Sequence, residues 1–153
     1  MLEDRVPAEF KNREMHDLGC GDGKITVRLK EIFAPAKVRG FDVYPSLIGK
    51  ARDRGIEAEL IDLEAGLPKG ELAVMWGVLH HLKDCESCLQ RMRDNYDLVF
   101  IREPVRQKAI KGLEMGEPLH KEQIESWVGK YFPGAQTFYH NSCIFVFYSK
   151  PKK

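Results

Sequence analysis

Asp17-Leu18-Gly19-Cys20-Gly21-Asp22-Gly23 closes a short apolar run with a carboxylate and three glycines spaced two apart, and this constrains the fold more than any other stretch of the chain. Glycine without a Cβ lets a backbone turn sharply and lie close to a ligand. A helix starting near Lys24 presents unpaired N–H groups and the positive end of its dipole to the same space. The stretch therefore predicts the first strand-to-helix turn of a doubly wound α/β sheet, with a nucleotide-like or carboxylate-bearing group against it. In a dinucleotide-binding turn the third glycine comes three residues after the second. Here that place is Lys24, and the third glycine falls one residue earlier.

With Asp17 two places before Gly19, the stretch resembles the first motif of the class I S-adenosylmethionine-dependent methyltransferases. Later segments agree with it. Lys37-Val38-Arg39-Gly40-Phe41-Asp42 reads as a strand ending in an acid about twenty residues beyond the turn, the spacing of a ribose-binding carboxylate. Ile56 to Asp62 repeats the pattern of a strand ending in Asp. Strand-ending aspartates also serve as caps and turn formers, but three acids ending three successive strands are unlike coincidence. Leu72 to Leu82, containing Trp76-Gly77-Val78-Leu79-His80-His81-Leu82, is similar to the strand-four segment of small-molecule methyltransferases in that class. Tyr96 to Ile101 reads as strand five, ended by Arg102-Glu103-Pro104.

The resemblance spans about Glu14 to Ser149 and implies a Rossmann-like seven-stranded sheet in the order 3-2-1-4-5-7-6, with strand 7 antiparallel. It implies S-adenosylmethionine as cofactor: Asp17, Gly19, Cys20, Gly21 and Gly23 hold the methionine moiety, Asp42 the ribose, Asp62 and Leu63 the adenine, with Val43 a further cofactor-binding residue and Trp76 on the same edge. His81, and secondarily His80, lie just past strand four and are the candidate catalytic bases. A histidine there can equally cap or pack, and Glu103 is a further candidate for the pocket. No Asn/Asp-Pro-Pro-Tyr/Phe motif follows strand four, which disfavours amide or base nitrogen as the acceptor. A small-molecule acceptor is expected, with protein or RNA acceptors left open. The rival readings are a non-catalytic cofactor-binding subunit of a larger assembly and an enzyme whose partner completes the substrate site. The short charged leader (residues 1–13) and the Val105–Leu119 stretch offer little lid.

Apolar spacing and breakers place the remaining elements. Helices are expected from about Gly23 to Phe33 with Ile25, Val27, Leu29 and Ile32 partly inward, after Pro45 until Gly55, from near Asp84, and from Lys121 to Tyr131. Only a loop or single turn fits between Leu63 and Gly70, and Gln136 to Phe147 reads as a hairpin around His140-Asn141-Ser142-Cys143. At 153 residues the chain is expected to be a single compact domain with a basic tail at residues 150–153. A formal charge of +1 gives no global pull toward nucleic acid or acidic membranes. The leader has no apolar signal core and no apolar run reaches spanning length, so no membrane association and a cytoplasmic place are expected. His80, His81, Cys85 and Cys88 make only half of a zinc pattern, so no metal is assigned, and nothing demands a disulfide.

Overall fold

The computed structural model describes residues 1–106 and 118–153. Strands β1 (Glu14–Leu18), β2 (Lys37–Asp42), β3 (Glu57–Leu60), β4 (Gly70–Trp76), β5 (Tyr96–Arg106), β6 (Leu119–His120), β7 (Gln136–His140) and β8 (Cys143–Ser149) form one sheet. Its helices are α1 (Lys24–Phe33), α2 (Pro45–Asp53), α3 (Cys85–Asn95) and α4 (Lys121–Tyr131). The main path runs β3-β2-β1-β4-β5-β8-β7, with β1 to β5 parallel and β8 antiparallel to both β5 and β7. The expected strand order and the closing hairpin are thus present.

Among the described residues the strand count is corrected from seven to eight. β5 does not stop at Ile101 but continues through Pro104 to Arg106, beyond the last residue of β4. Leu119 and His120 pair in parallel with Val105 and Arg106 on the edge this overrun exposes. Pro104 is tolerated inside the strand for a simple reason. The Val105 N–H faces β8, donating to Ser142 O at 2.9 Å, so alternation turns the nitrogen of Pro104 toward the side on which β4 has already ended at Trp76.

Both sheet faces are covered, as a parallel sheet requires. Met15, Leu29, Phe33, Val74, Phe100 and Phe147 pack under α1 and the N-terminal segment, and Leu18, Met75, Leu89, Met92, Ile101 and Ile124 pack under α3 and α4. Side chains of this size stabilise by about 1.5–3 kcal/mol each when fully buried. The expected inward set of α1 holds for Leu29, Ile32 and the partly buried Ile25, but Val27 is exposed and Thr26 is buried in its place. α2 begins with Pro45 at its first turn and Tyr44 at its N-cap. Asp84 caps α3, accepting the Ser87 N–H at 3.1 Å. The span from Leu63 to Gly70 contains no helix. Most of the Val105–Leu119 stretch, expected to furnish little lid, lies outside the described residues. No described helix is long and apolar enough to cross a membrane.

Candidate active site at the carboxyl ends of the strands

The three acids that end successive strands are held in different ways. Asp17, at the end of β1, is buried and accepts the Thr26 hydroxyl of α1 at 2.6 Å. Desolvation, with the nearby Asp42 charge adding to it against the Thr26 hydrogen bond, pushes its carboxyl up to about 6. Asp42, at the end of β2, uses Oδ2 to accept the Gly21 N–H at 2.8 Å and Oδ1 to accept those of Val43 and Tyr44 at 2.8 and 3.2 Å. The β2 acid thereby fixes the glycine turn across the strand boundary. Asp62 lies two residues past β3, exposed, and its Oδ1 accepts the Glu64 N–H at 2.9 Å.

The glycine turn is built from left-handed residues: Gly19, Gly21 and Gly23 have φ of 81°, 56° and 84°. Gly19 also sits against β4's exit, where an added Cβ would lie 2.6 Å from Val78 Cγ2. At Gly21 a Cβ would meet nothing within 4 Å, so that side of the turn is open space. The Cys20 side chain points the other way, into a small core with Ile48, Ala51, Ile56 and Ala58, under Gly40. Burial raises its thiol pKa to about 12, so it takes no part as a thiolate near neutral pH.

Above this turn lies a cavity of about 670 Å³. Of the residues the sequence singles out, Gly19, Asp42, Val43, Asp62, Leu63, Trp76 and His81 line it, whereas Asp17, Cys20, Gly21, Gly23 and His80 do not. Its volume lies within the range of about 300–1,000 Å³ usual for small-molecule sites. Tyr44, Glu64, Gly77, Val78, Leu82 and Lys83 complete the wall and were not singled out from the sequence. Tyr44 had a usable signal, as an aromatic two residues after the β2 acid and directly before Pro45; Glu64 and Lys83 had none. A larger recess of about 990 Å³ lies elsewhere, between Glu9, Arg13, Glu71, Asp97 and the C-terminal lysines, and holds none of the motif residues.

The adjacent histidines part company. The turn Leu79–His81 follows β4, and buried Glu103 of β5 accepts the backbone N–H groups of Leu79 and His80 at 3.2 and 3.0 Å. Glu103 also bonds His80 Nδ1. Burial raises the Glu103 pKa against the opposing effect of these bonds. His80 is therefore committed to the fold, while exposed His81, its ring 4.0 Å from that of His80, lines the cavity. Cys85 and Cys88 are buried on α3, and among the described residues no three His, Cys, Asp or Glu side chains gather as a metal set.

The family described as "Methyltransferase domain" matches residues 16–96, more than half of the chain, from β1 to the start of β5. The chain belongs to this methyltransferase-domain family. It is 37% identical over 71 residues to the trans-aconitate 2-methyltransferase of Mycobacterium sp. (strain KMS), a match covering 46% of this chain and 28% of that relative. The chain thus spans less than a third of the length of that curated relative. In structure, the methyltransferase domain is similar to human N-acetylserotonin methyltransferase, with TM-score 0.76, 16% identity and coverage of 99% of this chain and 51% of that one. A SAM-dependent methyltransferase from Aquifex aeolicus gives TM-score 0.70 at 17% identity, covering 97% and 89% of the respective chains. At such identities these neighbours establish the fold.

Proposed function

We propose that this domain is an S-adenosylmethionine-dependent methyltransferase acting on a small-molecule acceptor. The observation that carries the reading is the convergence of Gly19, Asp42, Asp62, Leu63 and Trp76 on one cavity at the carboxyl ends of β1, β2 and β4, where strand order reverses. The residues fit the cofactor: the turn is open at Gly21, and Asp42 and Asp62 provide acceptors for hydroxyl and amino groups. Asp42 would hold the ribose, Asp62 and Leu63 the adenine, and the backbone of the Gly19–Gly23 turn the methionine moiety. Asp17 and Cys20 act from behind, Asp17 by tying β1 to α1 through Thr26 and Cys20 by seating the turn on α2.

Bound there, the cofactor supplies an electrophilic methyl group on a sulfonium. The chain's own task is to orient the acceptor and exclude water, which contributes about 7–11 kcal/mol in favourable cases. Glu103 positions the turn that carries His81, and His81 faces the acceptor, where it takes a proton if the acceptor carries one. The named relatives include enzymes of trans-aconitate, a small organic acid, which favours a small-molecule acceptor over protein or RNA. Incubating the protein with methyl-labelled cofactor and a metabolite extract tests the reading. Label appears in a small molecule if it is right; cofactor binding without transfer to any acceptor would instead identify a non-catalytic module.

A further inference from the structure

Strand β5 outruns β4: the last β4–β5 pair is Trp76 with Arg102, and Glu103 to Arg106 continue past the end of β4, paired with β8 and β6. Because side chains alternate along a strand, Arg102, Pro104 and Arg106 share one face, while Glu103 and Val105 turn to the other. Arg102 lies over the Trp76 ring, 5.0 Å from its centroid, and a Cβ on Gly77 would stand 3.5 Å from its Nη1. Trp76 and Gly77 both line the cavity, so this guanidinium packs directly on residues of its wall.

Three arginines among the described residues pair with a carboxylate: Arg13 with Glu71, Arg39 with Glu59 and Arg54 with Asp22. Among the described residues Arg102 and Arg106 have none. In Arg106 the buried Nε and Nη1 atoms find no hydrogen-bond partner among the described residues. A guanidinium cannot shed its proton, and buried N–H groups of a cation left unpaired are costly. Its planar fork suits a bidentate carboxylate. His120 pairs with Arg106 in register and so shares its face; its Nδ1 accepts the Glu122 N–H at 3.4 Å, which leaves Nε2 as a donor in the neutral ring. The far side of the cavity is the opposite in character, walled by Asp42, Asp62 and Glu64.

We propose that the projecting face of β5 is the acceptor subsite, that Arg102 and Arg106 bind carboxylates of an aliphatic di- or tricarboxylic acid there, and that the product is a methyl ester. This rests on the methyltransferase reading above. The two arginines are four residues apart, about 13 Å along a strand, which suits an acid with carboxylates at both ends. One carboxylate oxygen forms the new bond to the methyl carbon as the carbon–sulfur bond breaks. The electron pair stays on sulfur and cancels its positive charge, and no proton moves. His81 then acts as a wall of the site and not as its base.

The test measures cofactor affinity and ester formation separately. Wild-type protein is given S-adenosylmethionine with trans-aconitate and a panel of saturated di- and tricarboxylates, and with their fully esterified forms as neutral controls. Base-labile methyl esters should form from the acids and nothing from the controls. Arg102→Gln and Arg106→Gln should each raise KM for the acid tenfold or more, with unchanged cofactor affinity and thermal melt, and Arg106→Lys should recover part of the loss. Methylation of neutral acceptors in preference to the acids would overturn the proposal, as would wild-type KM in both Gln variants. If the protein binds the cofactor but turns over no acid, calorimetry of trans-aconitate against protein saturated with S-adenosylhomocysteine decides, and no heat overturns the proposal. Failure of wild type to bind the cofactor would contradict the methyltransferase reading itself.

Discussion

The two ends of the cavity are built by different means. At the end made by β1, β2 and β3, acidic side chains are tied to backbone: Asp42 takes three N–H groups, Asp62 one, and Asp17 the Thr26 hydroxyl. At the end made by β4, Trp76 and His81 line the space, Arg102 of β5 lies over the Trp76 ring, and neither Arg102 nor Arg106 has a carboxylate partner among the described residues. The first end is preorganised for a ligand whose polar groups never vary. The second is where the proposed acceptor would complete the site.

The sharpest way to break this comparison is to separate glycines that serve the fold from those that serve the ligand. Gly19→Val places a branched side chain at φ 81° against Val78 and should cost about 2–5 kcal/mol of stability, read by urea unfolding. Gly21→Val meets open space, so its folding cost should be only about 1–2 kcal/mol of left-handed strain, while cofactor binding is lost because the branched group fills the ligand's approach. Equal losses of stability in both variants would show that the turn has no ligand-facing side.

Asp17 gives a pH signature. Its folded carboxyl titrates near 6 against an ordinary value of 3.8, so between these values the folded state holds more proton than the unfolded one. Stability from this group therefore falls as pH rises from about 4 to 6, by roughly 3 kcal/mol in all. Asp17→Asn should remove that slope, leaving the variant more stable than wild type at pH 7 and no more stable at pH 4. Parallel thermal melts with pH would contradict the burial argument.

Asp42→Ala should weaken S-adenosylmethionine binding by about 1.5–3 kcal/mol, since charged hydrogen bonds to both turn and ligand are lost. An unchanged dissociation constant at equal folded fraction would make this acid purely structural. The smallest effect is expected at the other end. His81→Ala, at an exposed residue, should change stability by no more than about 0.5 kcal/mol. With a carboxylate acceptor it should slow turnover less than tenfold, whereas loss of a general base would cost about 10²–10⁴. His80→Ala, which strips buried Glu103 of a partner, should cost more stability than His81→Ala.

What the sequence revealed follows the same division. Strand order, the four helices and the glycine turn were legible because they rest on local signals: apolar period, Pro45, Asp84, and acids at strand ends. Thr26 was not, because its burial comes from a hydroxyl finding Asp17 across the strand–helix unit and not from hydrophobicity. The inward face of Cys20 depends on Gly40 of the neighbouring strand leaving room for its sulfur. His80 and His81 are indistinguishable in a sequence, and only Glu103, 23 residues later, separates them. The overrun of β5 was hidden by Pro104, whose usual meaning as a strand breaker fails where no ladder bond is required. The β4–β5 end of the site was therefore the less legible half.

Isothermal calorimetry of the intact protein with S-adenosylmethionine and, separately, with NAD tests the central claim most directly. The account predicts saturable heat for S-adenosylmethionine and its demethylated product, abolished in Gly21→Val, and none for NAD. Tight binding of NAD with no heat from S-adenosylmethionine would contradict it.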